Sequence, residues 1–175
     1  EVVANIGTIA SSGTRRFLEA MSGEQQADAR LIGQFGVGFY SAFVVADKVT
    51  VITRRADAPE SEGVKWESDG KGEYSLEQVD APQRGTSVIL HLKADEDEFL
   101  KGWQLKALIR KYSDHVAFPI RTPVEKDGKP TDEFESTNAA SALWTKPRSE
   151  ISDEDYQGFY KSLGHDFNDA LAWTH

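Results

Sequence analysis

Apolar and polar residues alternate with period two in four successive segments: Val49–Arg54, Val64–Ser68, Tyr74–Val79 and Thr86–Leu92. Short turns rich in Gly, Asp and Pro separate them. The alternation predicts four strands, and the short links predict an antiparallel meander with one wet and one packed face. Elsewhere the period is near 3.6. Asp95 to Phe118 reads as the best helix in the chain, with Asp95, Glu96, Asp97 and Glu98 at the end where the helix dipole favours them. Leu105, Leu108, Ile109, Tyr112 and Val116 form its apolar stripe, and Phe118-Pro119 ends it.

Shorter elements flank these. Ser12-Gly13-Thr14 marks a loop before a helix over Arg15 to Met21, and Ser22 to Arg30 is polar. Gly33 to Ala46 is a glycine-rich turn entering an apolar segment, with a helix from about Gly38 buried on most of its circumference. Ile120–Val124 and Phe134–Ser136 flank Lys126-Asp127-Gly128-Lys129, a hairpin signal, with Pro123 and Pro130 suiting edge positions. Asn138 to Leu143 is small and polar, the best boundary in the chain. Ser152 is placed to cap a last helix, with Ile151 and Tyr156 spaced as a hydrophobic staple and Phe159, Tyr160 and Leu163 continuing its apolar face.

Composition narrows the classes. A chain of 175 residues, 39% hydrophobic and 28% charged, buries a core as one domain or one domain plus a piece of another. Cysteine is absent, which removes disulfides, thiolate metal sites and a Cys nucleophile, and suits a reducing compartment. A net charge of −9 argues against a broad nucleic-acid surface. No apolar run reaches the roughly 20 residues of a membrane helix, and Glu1-Val2-Val3-Ala4 is no signal peptide. Both ends read as cuts through structured protein, so the expectation is a fragment. His91, His115, His165 and His175 lack metal-ligand spacing, so no metal site is expected, and the four Trp residues read as packing anchors.

The stretch with candidate chemistry is Gly33-Gln34-Phe35-Gly36-Val37-Gly38-Phe39, a G-x-x-G-x-G pattern. No Lys follows, so it is not the P-loop, and no strand precedes it, so it is not the dinucleotide fingerprint. Glycines ahead of a helix start still allow backbone N–H groups to approach an anion. A tight packed turn explains the local pattern equally well.

A longer string resembles the Hsp90 chaperone family in its bacterial form. It comprises Gly7–Thr14, Ile32–Ser41, Val45–Val49, Trp66–Ser68, Arg84–Thr86, Lys111–His115, Leu143-Trp144, Phe159–Lys161 and Leu171–His175. The resemblance implies an α+β fold, an antiparallel sheet covered on one face by helices, as in the gyrase, histidine-kinase and MutL ATP-binding sandwich. It places 1–138 in an N-terminal ATP-binding domain lacking its first elements, and 139–175 at the start of a middle domain. It implies an ATP-dependent, cytoplasmic chaperone that uses ATP with Mg2+, takes unfolded or partly folded clients and dimerises through a C-terminal domain absent here.

Carried over by residue, the resemblance puts Asn5 near ribose and phosphates and Thr86 near adenine. Ser12 and Gly13 fall in the hinge of a lid over residues 9 to 37, and Gln34, Phe35, Gly36, Val37, Gly38 and Phe39 in the phosphate loop. Two departures stand out. Ser11 replaces a Lys that many members carry, removing a charge-assisted phosphate contact. The family's catalytic Glu and adenine-reading Asp would lie upstream of Glu1, and its γ-phosphate Arg beyond His175, so the stretch alone is expected neither to hold ATP nor to hydrolyse it. The alternatives are a non-catalytic interaction module, or another ATPase of the superfamily such as a type II topoisomerase subunit or MutL.

Overall fold

The computed structural model describes residues 2–21, 32–126, 128–164 and 166–175. The chain forms two compact units, Glu1–Asp97 and Glu98–His175. In the first, α1 (Val2–Asn5), α2 (Gly13–Ala20), a 3-10 turn (Gly38–Ser41) and α3 (Ala42–Val45) precede four strands. These are β1 (Ala46–Arg54), β2 (Gly63–Ser68), β3 (Tyr74–Val79) and β4 (Gly85–Leu92). The sheet is antiparallel throughout, in the order β3-β2-β1-β4.

The expected meander is therefore corrected to a Greek-key order, since β4 returns to lie beside β1. The return encloses the most buried strand, with Val51 opposite Trp66 on one side and Val88 on the other. Arg54 fastens the crossing segment. Its guanidinium donates to the carbonyls of Ala81 at 2.7 Å, Pro82 at 2.9 Å and Ala58 at 2.7 Å.

The register sorts the two faces as the alternation predicts. Val49, Val51, Trp66, Leu76, Val88 and Leu90 share one face; Lys48, Thr50, Lys65, Glu67, Glu77 and His91 share the other. Ala46, Val49, Val51 and Trp66 form the core, and Val2, Ile6, Phe39, Ala42 and Phe43 pack against it from the helices and their flanks. This is an α+β fold with helices over one face of an antiparallel sheet. The wet face still buries one polar group: the Thr50 hydroxyl donates to Glu67 at 2.8 Å and lies 3.1 Å from His91 Nε2.

Two local expectations change, and a third is not tested. The loop at Ser12-Gly13-Thr14 is a helix start, because the Ser12 hydroxyl accepts from the Arg15 N–H at 3.0 Å. The helix near Gly38 is not buried all round: Val44 lies 68% exposed, and β1 begins at Ala46. The polar stretch Ser22 to Arg30 lies outside the described residues.

The second unit holds α4 (Gly102–Ser113), the hairpin β5 (Arg121–Lys126) and β6 (Lys129–Ser136), and α5 (Asp153–Gly164). The long helix is shorter than its pattern. Asp97–Leu100 forms a separate 3-10 turn and Lys101 is extended, so the chain re-enters helix at Gly102. Gly128 turns the hairpin at φ +73°.

Asn138 explains the other end of α4. Its buried amide donates to the carbonyls of Ser113, Val116 and Phe118 at 3.3, 3.1 and 3.0 Å and accepts from the Ile120 N–H at 2.7 Å. The segment expected to separate domains at 138 thus lies inside the second compact unit. The Ser152 cap is present, and Ile151 and Tyr156 are both buried. Trp66 is buried, but Trp103, Trp144 and Trp173 are exposed, so only one of the four Trp residues anchors a core.

Candidate functional site

Two of the candidate residues, Thr86 on the sheet and Asn5 on α1, line one cavity. Thr53 on β1 faces Thr86 on β4, and their hydroxyls lie 2.8 Å apart. Asn5, at the end of α1, lies on the same cavity, which measures ≈ 950 Å³. Val2, Ile6, Val64 and Leu76 supply apolar wall, and Arg54, Arg55 and Gln78 supply polar edges. This mixture of apolar lining and a few convergent polar groups is that of a small-molecule site. Thr53 and Arg54 were not singled out by sequence reasoning. The signal was present in the alternation, since Thr53 and Thr86 occupy the same face as Val51 and Val88.

The glycine loop packs elsewhere. None of Gln34 to Phe39 lines the cavity. Gly36 adopts φ +66°, and a Cβ there would lie 2.7 Å from the Ser11 carbonyl. Gly38 has no such constraint, with nothing within 4 Å of a Cβ position. Phe35 and Val37 are exposed, whereas Phe39 turns inward and meets the Trp66 ring edge-on at 5.5 Å. Tyr40, next along, donates to the Ile6 carbonyl at 2.7 Å, and burial raises its phenol above the ordinary range.

Ser12 and Gly13 connect loop and cavity. The buried Ser12 hydroxyl donates to the Gly33 carbonyl at 2.7 Å. A Cβ on Gly13 would lie 3.7 Å from Asn5 Oδ1, which also accepts a hydrogen bond from Arg16. The candidates therefore fall into two groups: Asn5 and Thr86 on the cavity, and Ser12 with the glycine loop beside it. Among the described residues, no group of three or more His, Asp or Glu side chains is placed to hold a metal ion; His165 lies outside them. No helix among them is long and apolar enough to cross a membrane.

Comparison with known proteins adds kinship to this geometry. The family model described as Hsp90 protein matches residues 124–175. "Chaperone protein HtpG" of Bordetella pertussis is 55% identical over 100% of the chain, and its counterpart in Bordetella parapertussis matches to the same extent. The chain spans 28% of the length of these curated relatives.

Proposed function

The chain belongs to the Hsp90 family, and from that premise we propose that it is a stretch of an ATP-dependent molecular chaperone that supplies one wall of the nucleotide cavity. The observation that carries this reading is the meeting of Asn5 and Thr86 on one cavity. The residues present suit the nucleoside end of ATP. Ile6, Val64 and Leu76 offer apolar surface for a base, and the Thr53–Thr86 hydroxyl pair offers donors and acceptors to its edge. Bound ATP would supply the γ-phosphoryl group whose transfer to water powers the chaperone cycle.

The remaining residues take roles that their placement supports. In this reading Asn5 serves the ribose and phosphate side, and its side-chain oxygen accepts from Arg16. Gln34 to Phe39 would offer backbone N–H groups to phosphate once the lid segment moves over the cavity. Ser12 is the pivot of that segment, since it both caps α2 and holds Gly33. In this reading Mg2+ accompanies the nucleotide, hydrolysis needs groups outside this stretch, and the working protein is a cytoplasmic homodimer acting on unfolded or partly folded clients.

The test is refolding of a chemically denatured model enzyme by a chain of the relatives' full length carrying this sequence. ATP-dependent recovery, reduced by Thr86→Val, supports the proposal. Recovery that is equal with and without ATP, or none, overturns it.

A further inference from the structure

The second unit carries a cleft of ≈ 730 Å³ walled by α4, the turn Leu143–Thr145 and α5. Its apolar wall is Trp144, Phe159 and Leu163, which remain 53%, 36% and 73% exposed. The Trp144 ring is already set, 4.9 Å from the His115 ring and 5.9 Å from that of Phe159. A preset aromatic anchor binds at low conformational cost.

The charges around this wall are unbalanced in their availability. Arg110, Lys111 and Lys146 line the cleft. None of the three makes an ion pair within 4 Å among the described residues; Lys111 stands 5.1 Å over the Tyr112 ring. Arg110 and Lys146 act on Glu135 and Asp155 only at longer range. The two carboxylates of the cleft are both engaged. Asp114 accepts from the Ala139 N–H at 3.0 Å, and Asp155 accepts from the Ser152 N–H at 2.9 Å and its hydroxyl at 2.8 Å. The cleft thus sets three cations against two carboxylates that are already oriented by neutral donors, a local cationic excess on a chain of net charge −9 that favours an acidic partner.

We propose that this cleft docks an acidic segment of a partner protein, one that carries an aromatic or aliphatic residue flanked by Asp or Glu. The apolar residue sits against Trp144, Phe159 and Leu163, and the flanking carboxylates meet Arg110, Lys111 and Lys146. A long polyanion such as RNA is repelled by the overall charge, whereas a short acidic segment meets chiefly the charges within a Debye length of the cleft. The charge requirement separates this site from general capture of unfolded chains, and it stands independently of the nucleotide cavity.

The test is fluorescence anisotropy of a labelled peptide Asp-Glu-Phe-Leu-Asp-Glu with the 175-residue chain, against the charge-swapped peptide Lys-Arg-Phe-Leu-Lys-Arg. The acidic peptide is expected to bind, more weakly as salt rises, and to lose roughly tenfold in affinity in the double variant Arg110→Glu, Lys146→Glu. Leu163→Ser, at a site too exposed to affect folding, is expected to weaken binding without changing its salt dependence. Equal binding of both peptides, no binding, or binding unmoved by either variant overturns the proposal. Preference for a single-stranded RNA does the same, as does displacement of the peptide by self-association of the chain.

Discussion

The Ser12 hydroxyl donates to the Gly33 carbonyl at 2.7 Å while accepting from the Arg15 N–H at 3.0 Å. One side chain thus starts a helix and clasps the two ends of the segment between residues 12 and 33. Ser12→Ala removes both bonds from a buried position, and each contributes about 1 kcal/mol. The variant is expected to lower unfolding free energy by about 2 kcal/mol in a urea titration. It should also speed protease cleavage between residues 13 and 32, whereas Ser12→Thr retains most of the stability.

Gly36 and Gly38 differ in what they tolerate. Gly36 combines φ +66° with a close approach to the Ser11 backbone, so any Cβ there meets both a dihedral and a steric cost. Gly36→Ala is expected to destabilise by about 1–3 kcal/mol. Gly38→Ala enters open space at the start of a helical turn and should lie within about 0.5 kcal/mol of wild type. Parallel denaturant titrations of the two variants check the contrast.

Asn138 satisfies three carbonyls and one N–H between the end of α4 and the start of β5. Asn138→Ala leaves these groups without their partner and is expected to cost about 2–3 kcal/mol. Asn138→Asp keeps the acceptor for Ile120 but lacks the donors, so it should not recover that loss at neutral pH. Hydrogen exchange at Ile120 and over the last turn of α4 separates the two variants.

Acid should loosen the start of α5. The Ser152 backbone N–H, and then its hydroxyl, hold the Asp155 carboxyl below the ordinary carboxylate range. A depressed folded pKa contributes stability above the unfolded value of about 3.9, and that contribution is lost as pH falls through the folded value. Glu67 acts in the same direction, with the Thr50 hydroxyl as the largest cause. Asp155→Asn should flatten the acid limb of a plot of urea midpoint against pH. An unchanged acid limb would remove Asp155 from the account.

Several features were legible because they are local. The alternation located four strands and both sheet faces, Asp127-Gly128 marked the hairpin, and Ser152 marked the cap of α5. Pairing was not legible, because β4 lies beside β1 by burying Val51 between strands distant in sequence. Asn138 looked like a polar linker residue, since nothing local reveals that its amide is turned inward. The cavity was only half legible. Family resemblance pointed to Asn5 and Thr86, while Thr53 and Arg54 join them through sheet register and the crossing segment that Arg54 holds.

In the proposed function, Thr86 and the glycine loop serve different ends of one ligand. Paired calorimetric titrations of ATP and adenosine into a chain of the relatives' full length test it most directly. Thr86→Val removes a hydroxyl from the cavity and should weaken both ligands by the same factor, about three- to tenfold. Ser11→Lys adds a cation beside the loop and should tighten ATP alone, less so at high salt. Thr86→Val leaving adenosine affinity unchanged, or Ser11→Lys tightening both ligands equally, would show that these residues do not divide the ligand between them.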